Sequence, residues 1–215
     1  MLKPVSLYIV LLKLKELIIN MSIKHATIFT TALCNLNCKY CYICKDSAGG
    51  LKYIDDDIVK SFEEKEFIQS ILSFGDDVEH TLEAIGLWGG EPLLHLERFT
   101  NQIQDWFTAF PNLNTFDTST NFALSNAVDQ LEDFFSAITK YGPKNHYTIL
   151  LQISIDGYPE MTDFGRGLNV TQNLLNNFYK LLALKYNKNK IELRVTLKPT
   201  LSKETFIFLD SLEKC

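Results

Sequence analysis

Apolar segments of two different periods alternate along this chain from residue 25 onward. Segments rich in β-branched and aromatic residues predict strands over 25–33, 83–88, 113–121, 147–156 and 191–197. Segments with apolar residues at helical spacing predict helices over 54–75, 96–110, 124–138, 170–182 and from residue 203. Five consecutive βα units predict a parallel sheet with right-handed crossovers, either open or curved into a barrel.

The fifth predicted strand bears on the choice between these two shapes. Over 191–198 apolar and polar residues alternate strictly, whereas a strand covered by helices on both faces usually reads as a continuous apolar run. The alternation favours either a wide, incomplete barrel with a polar cavity on its uncovered face, or an edge strand, and both interpretations stay open. We predict an α/β fold, a partial (β/α) barrel of about five units that is incomplete at its C-terminal end.

Composition limits the class of protein and its partners. The chain has 215 residues, which suffices for one sizeable core. Its net charge of −5 argues against nucleic acid as a partner. Residues 1–24 are predicted to form an N-terminal extension with an amphipathic helix. This helix is too short and too charged to span a membrane. Residues 25–215 form the predicted core. Four of the five cysteines crowd into 34–44, which indicates a reduced, cytoplasmic protein with a metal or redox site.

The distinctive residues follow the predicted strands at the points where those strands end. The cysteines follow the first strand, Gly89–Gly90–Glu91–Pro92 the second, Thr120–Asn121 the third, and Ser154 and Asp156 the fourth. Because βα folds place their active sites at the carboxyl ends of parallel strands, we expect these residues to form one site.

The spacing of Cys34, Cys38 and Cys41 offers three thiolates from one short loop. Three ligands suit a four-iron cluster whose fourth iron is open to a substrate or cofactor. The alternative uses Cys44 as a fourth ligand and predicts tetrahedral zinc in a structural or adaptor module.

These motifs together resemble the radical S-adenosylmethionine superfamily. Its Cys-x3-Cys-x-aromatic-Cys signature matches Cys34, Cys38, Tyr40 and Cys41, and its GGEP motif matches 89–92. The stretch 154–167 is similar to the peptide-modifying branch that includes the anaerobic sulfatase maturases. The resemblance covers 25 to about 200 and implies the radical SAM type of partial barrel.

The resemblance implies a role for each matching residue. Cys34, Cys38 and Cys41 would ligate a 4Fe-4S cluster that reductively cleaves S-adenosylmethionine to a 5′-deoxyadenosyl radical, and Cys44 would be a bystander. Tyr40 would lie near the adenine, Glu91 would accept from the cofactor ammonium, Ser154 would lie near the ribose and Arg166 near the carboxylate. The full set implied for cofactor binding is Tyr40, Gly89, Gly90, Glu91, Pro92, Asn121, Ser154, Asp156 and Arg166. No catalytic residue on the protein is assigned.

The chain also departs from that branch. Phe122 stands where Thr-Asn is usually followed by glycine, and we expect it to need a different turn or to face the substrate. Against that branch, the sequence lacks a cysteine-rich region for auxiliary clusters and a predicted sixth strand. We therefore expect a second chain to complete the barrel. The further alternative is an inactive fragment of such an enzyme. The implied partners are a peptide or protein substrate and an external electron donor such as flavodoxin or ferredoxin.

Overall fold

A computed structural model describes residues 22–41, 64–75, 77–200 and 203. Five strands lie in this part of the chain: β1 His25–Thr31, β2 Ala84–Gly89, β3 Thr115–Thr120, β4 Tyr147–Ser154 and β5 Ile191–Lys198. A 3-10 turn at Pro92–His95 accompanies the helices, which are α1 Glu64–Leu72, α2 Val78–Thr81, α3 Leu96–Asn101, α4 Ile103–Ala109, α5 Ala127–Tyr141, α6 Pro159–Arg166 and α7 Val170–Ala183.

The five strands form one sheet in which every pair is parallel and each strand lies beside its neighbours in the chain, in the order β1-β2-β3-β4-β5. This confirms the predicted α/β class with a five-stranded parallel sheet. Consecutive parallel strands joined by right-handed crossovers place their helices on one face of the sheet. The architecture is therefore compatible with a partial barrel.

Burial along the strands separates a covered face from an uncovered one. Buried and partly exposed residues alternate along all of β3 and all of β4. The buried set includes Phe116, Ile149 and Leu151, which pack with the helices in the core. Because β4 has a neighbour on each side, its alternation reflects that the helices of the described residues cover one of its faces. β5 alternates in sequence and is also the last strand of the sheet that the described residues form. Its pattern is therefore compatible with an edge strand and with a strand of an incomplete barrel, and the choice between them stays open.

Three helical segments differ from the sequence prediction, and the first is the four-residue helix α2, which was not predicted. The stripe over 96–110 is divided between α3 and α4, with Gln102 between them in a non-helical conformation (φ −110°, ψ 8°). Its apolar residues are buried on both sides of this break, so periodicity alone could not detect it. Helix α6 was not predicted, because its buried face includes Thr162, Gly165 and Arg166 rather than an apolar stripe.

Several predictions from the sequence fall on other parts of the chain. The N-terminal helix within 1–24, the first half of the helix over 54–75, Cys44 and the helix after Lys203 lie wholly or mainly outside the described residues. Among the residues that are described, no helix has both the length and the apolar character needed to cross a membrane.

Phe122 adopts a backbone conformation that a glycine would take more easily. Its φ is 55°, in the left-handed region that costs a non-glycine residue roughly 1–2 kcal/mol. The side chain is completely buried in the core on the helix side of the sheet. Neither expectation for Phe122 is met: it takes the left-handed conformation that glycine favours instead of a different turn, and its ring packs in the core rather than facing a substrate.

We predict that a glycine variant is more stable than an alanine variant at this position, the reverse of the usual order of stability. Both Phe122→Ala and Phe122→Gly should lower the free energy of unfolding by about 3–5 kcal/mol, because each deletes a buried ring. Glycine should nevertheless be the more stable of the two by about 1 kcal/mol, since it relieves the positive φ that alanine retains. Urea denaturation of both variants measures the difference, and an alanine variant more stable than the glycine variant would contradict this account.

Candidate functional site

A cavity of about 250 Å³ lies at the carboxyl ends of the strands. It is lined by Cys34, Cys38, Tyr40, Cys41, Trp88, Gly89, Gly90, Ser119, Thr120, Asn121, Ser154, Arg166, Lys198 and Thr200. The structure thus brings together most of the residues that the sequence nominated. Glu91, Pro92 and Asp156 are buried behind this lining.

The glycine turn after β2 lies directly against the start of the cysteine loop, residues 32–41. Gly90 donates its N–H to the carbonyl of Thr31 at 2.7 Å, and Glu91 donates its N–H to the carbonyl of Leu33 at 2.8 Å. A Cβ on Gly89 or Gly90 would collide with the backbone of Thr31 or Leu33, respectively. Glycine is therefore required here so that two backbone segments can approach each other.

The Glu91 carboxylate is enclosed by protein donors. Oε1 accepts from the backbone N–H of Leu93 at 3.1 Å and from the hydroxyl of Thr120 at 2.7 Å, and Oε2 accepts from the N–H of Asn121 at 2.8 Å. Burial raises the pKa of Glu91, and these hydrogen bonds oppose the rise. The expected contact between Glu91 and a cofactor ammonium stays a prediction; in the structure the carboxylate joins the ends of β2 and β3.

Asn121 connects this carboxylate to the first cysteine. Its side-chain Nδ2 lies 3.7 Å from Cys34 Sγ and donates to Asn35 Oδ1 at 2.8 Å. The backbone N–H of Leu36 also points at Cys34 Sγ, at 3.4 Å. Two N–H groups therefore lie near Cys34 Sγ.

Asp156, just after β4, is the centre of a second buried network. Its carboxylate accepts from the Tyr40 hydroxyl, from Nε and Nη2 of Arg166 at 2.9 and 2.7 Å, and from the backbone N–H of Thr200 at 3.0 Å. The carboxylate and the guanidinium form an ion pair that is almost completely buried, with side-chain exposures of 1% and 6%. This paired geometry is the strong, bidentate form of the arginine–carboxylate contact.

The charge of Arg166 acts on the site as well as on Asp156. Burial is the largest single effect and disfavours the charged guanidinium, but the hydrogen bonds to Asp156 and the electrostatic effects of Tyr40, Asp156 and Cys38 together raise the pKa of Arg166. Burial likewise raises the pKa of Cys38, and the positive charge of Arg166 opposes that rise. Arg166 lines the cavity, so it also offers a positive group to a ligand there.

Helix α6 holds the second half of the cysteine loop. Lys39 donates its backbone N–H to the carbonyl of Gly165 at 2.9 Å, and its ammonium lies 3.3 Å from the centre of the Phe164 ring. A Cβ on Gly165 would approach Tyr40 Cε1 to 2.8 Å. The Tyr40 ring therefore packs against the helix at Gly165, and its hydroxyl reaches Asp156.

The three thiols are half-buried, and none is in a disulfide. Among the described residues, no three His, Cys, Asp or Glu side chains are close enough together to hold a single metal ion. The three thiols line the same cavity. The zinc alternative with four thiolates includes Cys44, which lies outside the described residues.

Lys198 and Thr200 line the cavity at the end of β5 and were not nominated from the sequence. The positional rule used for the other four strands would have found them, because both lie at or just after a strand end. Trp88 and Ser119 were missed for a different reason: they lie within strands, on the uncovered face, and carry no motif.

No protein-family model matches the sequence, and neither a curated protein nor a solved structure matches it.

We predict that Gly90→Ala lowers the free energy of unfolding by about 3 kcal/mol, because its methyl group would meet backbone atoms of Ala32 and Leu33 that cannot rotate away. Gly75→Ala is the matched control: a Cβ there meets only Val78 Cγ2, at an ordinary 3.7 Å. Its effect should stay within about 1 kcal/mol. Equal effects of the two substitutions in urea denaturation would show that the glycine turn does not need this close approach.

Proposed function

We propose that this chain is the core of a radical SAM enzyme that holds a 4Fe-4S cluster through Cys34, Cys38 and Cys41 and binds S-adenosylmethionine beside it. One observation carries the proposal. Three half-buried thiols share a cavity with the glycine turn and with a buried arginine at the carboxyl edge of a parallel sheet. When bound, the reduced cluster would supply the electron that cleaves S-adenosylmethionine.

The residues of the chain supply binding and orientation. Arg166 uses Nε and Nη2 on Asp156, and its remaining nitrogen, Nη1, is the donor that we assign to the cofactor carboxylate. The Tyr40 ring, which lines the cavity, is assigned to the adenine, and the Ser154 hydroxyl to the ribose. Glu91, Pro92 and Asp156 would act behind these residues, by supporting the turn and the guanidinium.

We propose a peptide or protein side chain as the substrate. The similarity of 154–167 to the peptide-modifying branch supports this class, and the uncovered face of the sheet leaves the cavity accessible beside Trp88 and Lys198. A flavodoxin- or ferredoxin-like protein is the proposed electron donor. A cytoplasmic location is part of the same proposal, because an oxygen-sensitive cluster and free thiols need reducing conditions.

A second chain that completes the barrel is also a proposal. On β5, Val195 and Leu197 are 38% and 57% exposed on the face that β4 buries under helices. Tyr179 and Leu182 of α7 are exposed as well. A further element over this surface, from this chain or another, would bury them.

The proposed cluster is tested by anaerobic reconstitution followed by iron, sulfide and zinc analysis. We expect about four irons and four sulfides per chain. Cys34→Ala, Cys38→Ala and Cys41→Ala should each abolish the cluster, and Cys44→Ala, the control, should retain it. Stoichiometric zinc without sulfide would favour the structural zinc module, and loss of iron in Cys44→Ala would make that residue a ligand.

Binding of the cofactor is tested separately from the cluster. Ser154→Ala should leave the iron content unchanged and weaken S-adenosylmethionine binding about fivefold, the effect of losing one hydrogen bond of about 1 kcal/mol. Ser136→Ala, at an exposed position of α5, is the control and should leave the affinity unchanged. Equilibrium binding to the reconstituted protein gives the measurement, and unchanged affinity in Ser154→Ala would remove this residue from the site.

A further inference from the structure

Two buried acidic residues support the cysteine loop at opposite ends. Glu91 donates its backbone N–H to the carbonyl of Leu33 at the start of the loop, and the Asp156 carboxylate accepts from the Tyr40 hydroxyl near its end. We propose that they are positioning residues that hold the loop as two separately anchored halves: Glu91, through Asn121, positions Cys34, and Asp156, through Tyr40, positions Cys38 and Cys41.

The first half is held by the turn after β2 and the end of β3. The backbone of Glu91 binds the carbonyl of Leu33, which directly precedes the first cysteine. The Glu91 carboxylate fixes the backbone of Asn121, whose side chain then contacts both Cys34 Sγ and the neighbouring Asn35. The position of Cys34 thus depends on strands β2 and β3.

The second half is held by β4 and α6. Tyr40 lies between Cys38 and Cys41, so a bond from its hydroxyl to Asp156 restrains the segment that carries both thiols. The backbone bond from Lys39 to Gly165 restrains the same segment from the helix. Arg166 and Thr200 fix the Asp156 carboxylate itself. Within the described part of the chain, the hydrogen bonds named for this second half share no residue with those named for Cys34.

Each half also has an internal bond of its own. Leu36 N–H points at Cys34 Sγ in the first half, and Cys41 N–H binds the carbonyl of Cys38 at 3.1 Å in the second. Asn37, which lies between the two halves, is exposed. Two anchors joined at this exposed residue allow the distance between Cys34 and the other two thiols to adjust while each half keeps its place in the cavity.

The inference rests on the proposed function only in assigning the three thiols to a cluster; the anchoring is a property of the metal-free chain. It is therefore tested on the reduced, metal-free protein, by alkylation with iodoacetamide and site-resolved peptide mass spectrometry. The rate at each of the three cysteines is measured separately. Failure to bind iron would overturn the proposed function and leave this test intact.

Tyr40→Phe removes only the hydroxyl that reaches Asp156. We expect alkylation of Cys38 and Cys41 to accelerate at least about threefold, the effect of losing a restraining hydrogen bond. The rate at Cys34 should stay within about 1.5-fold of the parent. Asn121→Ala should give the opposite result, with faster alkylation of Cys34 and little change at the other two. Repeating both at a higher pH separates altered access from an altered thiolate fraction.

Gly165→Ala tests the second anchor without removing any hydrogen-bonding group. Alanine favours a helix by about 1 kcal/mol over glycine, yet its methyl group would displace the Tyr40 ring. We expect the same selective acceleration at Cys38 and Cys41. The direct variant, Asp156→Asn, would leave the buried Arg166 without its counter-charge and destabilise the fold, so Tyr40→Phe and Gly165→Ala are the test variants. Equal acceleration of all three thiols in Tyr40→Phe or Asn121→Ala, or no change in either, would overturn the two-anchor arrangement.

Discussion

The buried pair of Asp156 and Arg166 is the interaction on which the site depends. Removing two charges from water costs several kcal/mol per ion, and a well-packed apolar pair of similar volume is often no less stable. The pair is therefore better explained by what it positions than by stability. Its four hydrogen bonds connect the end of β4, helix α6, Thr200 and the tyrosine between two cysteines.

The sheet makes this arrangement possible because its two faces differ. The helix side carries the apolar core, including a cluster of aromatic rings around Phe99, Trp106 and Phe116. The other side carries polar residues on β3 and β4 and leads to the cavity at the strand ends. The apolar core and the residues that lead to the cavity thus lie on opposite faces of the sheet. Side chains of the candidate site can therefore be polar without interrupting the core.

Much of this was predictable from the sequence, and the exceptions have physical reasons. Strand positions and the meeting of Cys34, Gly90, Asn121 and Ser154 at one edge follow from periodicity and parallel topology. Helix α6 was missed because it packs its buried face against a polar network, which leaves no apolar stripe. The enclosure of Glu91 was also hidden, since spacing places a carboxylate at a strand end without showing which donors satisfy it. Phe122 shows that a buried ring can hold a residue in a turn where sequence patterns favour glycine.

The two tryptophans of the chain lie on opposite faces of the sheet. Trp106 is completely buried among the core aromatics, whereas Trp88 is partly exposed and lines the cavity beside the thiols. The protein therefore contains two intrinsic fluorophores with separate environments. Emission from Trp106 follows the integrity of the core, and emission from Trp88 responds to whatever enters the cavity. Replacing Trp106 by phenylalanine would leave a single optical reporter at the mouth of the site.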